Sequence, residues 1–376
     1  MEISKKSVLL VYEALIPSVR LCGYLQLSYL KAANAIDFCA KKFSDIKKND
    51  ILKTDIVVFV RNDSLQDVWL AKKCRKAGKY LIYVLDDDLL NVPDYISSAQ
   101  HYGSRRIRRQ MLQIMSMCDC LASPSEKLLH KYGYLFPHFF QIIEPAEVQM
   151  KGKKKSAMDG RIRIGFAGST DRGNDLDQIL GGAIATVMQK YPERVSVEMF
   201  GPETILARHL GLRSYPYLNS YEEYQQQMRK LSWDIGLAPM PHSAFHRCKY
   251  YNKLIEYASF GIAGVYSDEI PYSGSVEDGI TGVLCENTQD AWVAAISHLI
   301  EDEILRKSIQ ENCLQMVREE YSVKKAAEEW LEQIHSCTGK ANQAKELRFF
   351  AIEKNAVRWR NFCNRICRAV QRRLLH

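Results

Sequence analysis

The stretch from Asp234 to Asn287 reads DIGLAPMPHSAFHRCKYYNKLIEYASFGIAGVYSDEIPYSGSVEDGITGVLCEN, and its pattern decides the fold. It opens on a short apolar run, Asp234 to Ala238, closed by Pro239. Lys249 to Phe260 has helical periodicity and stops at Gly261, a residue that tolerates the left-handed turn after a helix. A second apolar run, Ile262 to Tyr266, follows at once. Continuous apolar strands on either side of a helix build a parallel sheet covered on both faces.

The same alternation extends outward from this unit. Upstream, Arg161 to Ala167 and Val195 to Phe200 read as strands, and Asp175 to Gln189 and Tyr221 to Leu231 as helices. Downstream, Trp292 to Ile300 and Ile304 to Glu320 read as helices, and Ser322 caps a last one reaching Ile334. The first half repeats the theme. Ser7 to Tyr12, Asp55 to Val60, Tyr80 to Leu85 and Cys120 to Ala122 are strands, with helices over Gln26 to Ala40, Leu65 to Ala77 and Arg105 to Met117. Between the halves, residues 151–160 (KGKKKSAMDG) are polar, basic and aperiodic, as a linker would be. The expectation is two doubly wound α/β domains facing across a cleft, residues 1–150 and 161–336, followed by a tail, 337–376. Open α/β sheets bind ligands beyond the C-terminal ends of their strands. The loops after Leu85, Ala167, Phe200 and Ala238 are therefore expected to line the cleft.

Composition narrows the function. A chain of 376 residues exceeds one compact core, and 47% apolar with 26% charged residues excludes disordered and collagen-like chains. The formal net charge of +8 is concentrated in residues 340–376, which hold ten basic and two acidic residues. The body is neutral, which argues against nucleic acid as a partner. The 11 cysteines form no framework. Cys118 and Cys120 make a lone C-x-C without the second pair of a zinc site, and scattered thiols fit a reducing cytoplasm. The N-terminal apolar run is broken by Glu13, too short for a signal peptide. No run approaches the roughly 18 apolar residues of a spanning helix.

Three groups of residues could carry chemistry. Gly168-Ser169-Thr170-Asp171-Arg172-Gly173 joins a strand to a helix. Such a loop can present backbone N–H groups and a helix N-terminus to an anion, with Arg172 adding charge; it can equally be a plain tight turn. It lacks the G-x-G-x-x-G of a dinucleotide enzyme. Lys249, Lys253 and Glu256, four and three apart, would share a helical face. They suit a diphosphate and a sugar diol, or a solvated face with an internal ion pair. Asp86, Asp87 and Asp88 end the strand Tyr80 to Leu85. At a strand end at most one or two of them point the same way, which leaves an acceptor-contacting or helix-capping role for Asp87 or Asp88 and disfavours a metal. Arg61 is a second cleft candidate. His138 and His242 are isolated, and His246 and Asn252 flank the lysines without a role.

The quoted stretch closely resembles the C-terminal domain of GT-B-fold glycosyltransferases, especially family 4, the "glycosyl transferases group 1". The resemblance rests on D-I-G-L-A-P from Asp234, K-x-x-E-Y-A-x-x-G from Lys253, the strand Ile262 to Tyr266, and V-x-D-G-x-T-G-x-L from Val276. Ile164 to Ser169 is similar to the family's first C-domain strand and phosphate loop, and Trp292 opens the next helix. The resemblance implies two Rossmann-like domains and transfer, with retention, of a sugar from a nucleotide-diphosphate donor to a glycan or lipid-linked acceptor. It implies no cofactor and no metal, because cationic groups offset the leaving diphosphate. Glu256 matches the second Glu of the Glu-x7-Glu motif, which holds the ribose; the first Glu is replaced by Cys248, which keeps open a nucleotide-sugar-binding or scaffold protein of the same fold without transfer, and a sugar-nucleotide epimerase is the other alternative. Gly168, Ser169, Arg172, Lys249 and Lys253 would meet the diphosphate, and Gly201 the nucleobase.

The tail has its own pattern. Trp359, Phe362, Ile366 and Val370 recur at helical spacing, with Arg358, Arg365, Arg368 and Arg372 mostly off that face and Cys363 and Cys367 one turn apart. This is the layout of an interfacial basic amphipathic helix, or of a helix packed on the body. The first reading places the protein peripherally at the inner face of a membrane, contacting an anionic surface through residues 340–376.

Overall fold

A computed structural model describes residues 5–149, 160–339, 347–348 and 350–374. Apart from Gly160, the expected linker lies outside them, as do residues 340–346 of the tail.

The strands form two six-stranded sheets, both wholly parallel. The first has the order β2-β1-β3-β4-β5-β6. Its strands are β1 (Ser7–Tyr12), β2 (Asp37–Lys42), β3 (Ile56–Val60), β4 (Tyr80–Val84), β5 (Cys120–Ser123) and β6 (His138–Gln141). The second has the order β12-β11-β10-β7-β8-β9. Its strands are β7 (Ile162–Ala167), β8 (Val195–Gly201), β9 (Arg213–Pro216), β10 (Ile235–Ala238), β11 (Ala263–Ser267) and β12 (Val283–Cys285). The interior strands are apolar and buried: Val8 to Val11, Val57 to Phe59 and Leu81 to Val84 have no exposed surface. Helices must therefore cover both faces, which parallel crossovers supply.

Contacts divide the chain into two units. One takes the chain up to Asp94, Ser98–Glu144 and everything from Ala326 onward; the other takes Tyr95–Ser97 and Pro145–Lys325. The expected division put residues through 336 in the second domain, whereas the helix Val323–Ser336 joins the first unit from Ala326. Its Trp330 is fully buried there, edge-on to Phe140 with centroids 5.4 Å apart.

Three departures from the sequence reading have physical causes. The helix expected over Gln26 to Ala40 ends at Ala32; Asn34 turns left-handed at φ 59°, and β2 follows. β6 and β9 are edge strands with mostly exposed side chains, and β12 is only three residues long, so none shows the apolar run of an interior strand. The helix expected from Lys249 starts at Asn252, because Lys249 is extended after a 3-10 turn, His246–Cys248. The tail is helical over Phe350–Leu374. Its first turns are docked on the first unit: Phe350 is buried against Trp69, and the Lys354 amine donates to the carbonyls of Ser44 and Ile46.

Candidate functional site

In the second sheet β7 lies between β10 and β8. The winding reverses between β7 and β10, and open α/β sheets bind ligands at such a point. The loop after β7 passes the end of β8 at backbone contact distance. Gly201 has φ 104°, and a Cβ there would lie 2.0 Å from the Gly168 carbonyl oxygen. The Gly168 N–H donates to Phe200 O at 3.0 Å. Only glycine permits this approach. It leaves Ser169 and Thr170 exposed just before the helix Gly173–Lys190.

Arg172 spans the reversal point. Its Nη2 donates to Pro239 O, at the end of β10, at 2.6 Å, and its Nε lies 3.3 Å from Asp175 Oδ2. Burial raises the Asp175 pKa, while Arg172 and Lys249 pull it down. Lys249 thus belongs to this charge cluster, yet not to the helical face expected for it; its amine stands over the Phe245 ring at 4.6 Å. His246 is buried, with Nδ1 2.8 Å from Ser243 Oγ and Nε2 3.7 Å from Asp175. It braces the loop ahead of Lys249. Cys248, at the position where the resemblance leads one to expect a Glu, is buried.

Lys253 and Glu256 lie on one face of the helix Asn252–Ser259 and pair with each other. The Tyr224 hydroxyl donates to the other oxygen of Glu256. Tyr224 stacks on Phe200, next to Gly201, and on Tyr221, with centroids 5.0 and 6.2 Å away. Sequence reasoning missed this aromatic ladder. The i, i+3 spacing of Tyr221 and Tyr224 was the available signal. A half-buried aromatic face beside a close-packed backbone loop can take the flat face of a base. The Tyr224–Glu256 contact sets a hydroxyl and a carboxylate side by side next to these rings. Asn252 is exposed at the helix start, and His242 pairs with Glu269 at 2.8 Å.

In the first unit the three aspartates diverge. Asp88, expected to face an acceptor or cap a helix, has no exposed surface. It accepts from Lys131 at 2.6 Å, Asn91 at 3.1 Å and the Tyr132 hydroxyl. These bonds occupy the Asp88 carboxylate in holding the helix Glu126–Tyr132, and Asp88 also precedes the 3-10 turn Leu89–Asn91. Asp87 is half-buried, and its Oδ1 accepts from the Asp88 N–H. Asp86 pairs with Arg61, whose backbone is left-handed at φ 55°. Burial works against the Arg61 charge, and Asp86 outweighs it, leaving the guanidinium pKa above its ordinary value. Cys22, Asp86 and Glu144 place possible ligand atoms within 4.8 Å of one another. The Arg61 guanidinium already supplies the positive charge there. Burial, then Asp86, pushes Glu144 up to about 8. His138 is exposed on β6.

No protein-family model and no curated protein sequence matches the chain. Solved structures do resemble it. Anabaena HepE in complex with UDP and glucose superposes with a TM-score of 0.62 at 13% identity, covering 88% of this chain and 100% of that one. The apo lipopolysaccharide outer core galactosyltransferase WaaB gives 0.55 at 13% identity, covering 88% and 99%. A glycosyltransferase from Rickettsia africae gives 0.56 at 14%, covering 89% and 99%. The two doubly wound parallel sheets of this chain are those of the GT-B fold, which it shares with these glycosyltransferases.

Proposed function

We propose that the protein is a glycosyltransferase that takes a sugar from a nucleotide-diphosphate donor held by the second unit. The observation that carries this is the Gly168–Gly201 backbone contact with Arg172 across the β7/β10 reversal. It is built where the GT-B fold holds a donor, and structural neighbours of this chain were crystallised with UDP and UDP-glucose. In this reading the phosphates lie on the Gly168 loop and the N-terminus of Gly173–Lys190, with Arg172, Lys249 and Lys253 offsetting charge on the leaving diphosphate. Glu256 holds the ribose, and the base stacks on Tyr224 near Gly201. The acceptor is a glycan or a lipid-linked sugar. Transfer needs no metal and, by the family resemblance, retains the anomeric configuration.

The tail supports a peripheral location at a membrane. Among the described residues no helix is long and apolar enough to cross one. Trp359 and Phe362 are stacked with centroids 5.8 Å apart and are 68% and 52% exposed, within the segment that carries the excess charge. The side chains of Arg365, Ile366, Arg368, Val370 and Arg372 lie outside the described residues. Near an anionic leaflet each Lys or Arg contributes about 1 kcal/mol. Co-sedimentation with phosphatidylserine vesicles, abolished by high salt and reduced in Trp359→Ala, is the expected result. Equal pelleting with neutral vesicles would remove this reading.

The buried Cys248 favours a second reading, a nucleotide-sugar-binding protein that has lost transfer. Calorimetry with UDP and UDP-glucose, alongside release of UDP in the presence of glycan acceptors, tests both. The expected result is UDP binding weakened about tenfold in Lys253→Ala and in Glu256→Ala, as loss of a charge-assisted bond predicts. Binding equal to wild type in both variants defeats the donor site; tight binding without UDP release from any acceptor favours the second reading.

A further inference from the structure

Glu144 lies three residues past β6, and nothing in the sequence marks it. It is 2% exposed, and its Oε1 accepts from Cys22 Sγ at 3.3 Å. The Gln26 amide donates to the neighbouring carbonyl of Ile143 at 3.0 Å and fixes the backbone beside it. The charged and titratable groups that face Glu144 come from three elements: Cys22 after β1, Arg61 after β3, and Asp86 and Asp87 after β4.

This meeting place has topological meaning. In the first sheet β1 lies between β2 and β3, so the winding reverses at β1/β3, as it does at β7/β10 in the second. Arg61 stands at that crevice. Among the described residues the only hydrogen bond from its side chain runs from Nε to Asp86. Its terminal fork is therefore uncommitted, with a fifth of the side chain exposed. Two carboxylates, Asp86 and Asp87, outnumber the one guanidinium, so the surroundings disfavour a phosphate. Guanidinium donors beside carboxylate acceptors suit neighbouring hydroxyls. If Glu144 were also ionised, it would compete with Asp86 for the same guanidinium.

We propose that Glu144 is a positioning residue: buried, bonded to Cys22 and within 4.8 Å of Asp86, it leaves Asp86 to grip Arg61, and so aims the guanidinium fork, with Asp87, at hydroxyls of a neutral sugar acceptor. The acceptor part rests on the transferase reading; the positioning part does not. Burial holds Glu144 neutral up to about pH 8. Above that, its carboxylate draws Arg61 away and the fork turns.

The test uses the full chain. The Arg61 Nε–H resonance, identified by its disappearance in Arg61→Lys, is followed through the alkaline range in wild type and in Glu144→Gln. A sharp signal that fades near pH 8 in wild type and persists in Glu144→Gln is expected. Fading at the same pH in both proteins overturns the proposal. Should Glu144→Gln not fold, the carboxyl carbon of Glu144 is titrated in wild type, and an apparent pKa in the ordinary glutamate range overturns it. For the acceptor, methyl hexopyranosides added with saturating UDP are expected to shift the Arg61 signal. No shift while UDP binds overturns the acceptor assignment and spares the donor reading. Failure of UDP to bind defeats the donor reading, and the Glu144 titration still decides the positioning.

Discussion

Arg172 donates from Nη2 to the main-chain carbonyl of Pro239 at 2.6 Å, tying the loop after β7 to the end of β10. A lysine can supply the charge but not this tie together with the contact to Asp175, since it lacks the planar fork. Arg172→Lys is therefore expected to weaken UDP binding about tenfold, and Arg172→Ala more, a charge-assisted bond being worth roughly 1.5–3 kcal/mol. Calorimetry measures both. Wild-type affinity in Arg172→Lys would show that charge alone matters.

Gly201 and Gly211 both have positive φ, 104° and 62°, but only Gly201 has a neighbour in the way. Gly211→Ala should cost about 1 kcal/mol through backbone strain. Gly201→Ala adds a clash with Gly168 O and should cost at least twice as much, of order 2–4 kcal/mol. Denaturant melts of the two variants check the ratio, and equal costs would mean that the backbone contact is looser than described.

Asp88→Asn tests whether the buried bonds of that residue serve structure or an acceptor. It leaves the Lys131 ammonium and the Tyr132 hydroxyl facing a neutral amide. Stability is expected to fall by about 1–3 kcal/mol, with UDP affinity unchanged. An unaltered melting temperature together with lost transfer would assign it to the acceptor.

Ending the chain at Gly339 removes Phe350, Glu353 and Lys354 from their sites on the first unit. Trp69 loses its partner ring, and Lys73 loses its 2.6 Å ion pair with Glu353. Burying one large aromatic side chain is worth roughly 1.5–3 kcal/mol, so a melting temperature several degrees lower is expected. If melting is unchanged, the tail is a free appendage.

Stability should also carry the imprint of Glu144. Its pKa is raised from 4.5 to about 8 in the folded protein, first by burial. The favourable contribution of the neutral acid is thus complete below about pH 4.5 and is lost as the pH rises through about 8. Between those limits wild type should lose stability relative to Glu144→Gln. Parallel pH–melting curves for the two proteins would contradict this.

The legibility of the fold follows strand position. β1, β3, β4, β5, β7, β8, β10 and β11 are covered on both sides, and their apolar runs were readable as strands. The four edges β2, β6, β9 and β12 were not. An edge strand needs little apolar surface and gains from polar residues that block further pairing, as Lys41 and Lys42 of β2 illustrate. In the site, the Gly168 loop and the Lys253–Glu256 face could be read because turn chemistry and helical spacing are local. Lys249 was misplaced by a helix boundary three residues off. Glu144 gave no signal, since its character comes from Cys22 and Asp86, 122 and 58 residues away in the chain.

The return of the chain at Ala326 has a consequence for biosynthesis. Trp330, which closes the first unit against Phe140 and sits over Gly23, emerges from the ribosome after all of residues 145–325. The second unit is contiguous apart from Tyr95–Ser97 and can condense as soon as it is made; the first must wait with its sheet uncovered at that place. The half synthesised first is thus the half completed last. A chain stalled or truncated before Ala326 would expose the apolar patch that Trp330 covers, leaving it to a chaperone or to aggregation.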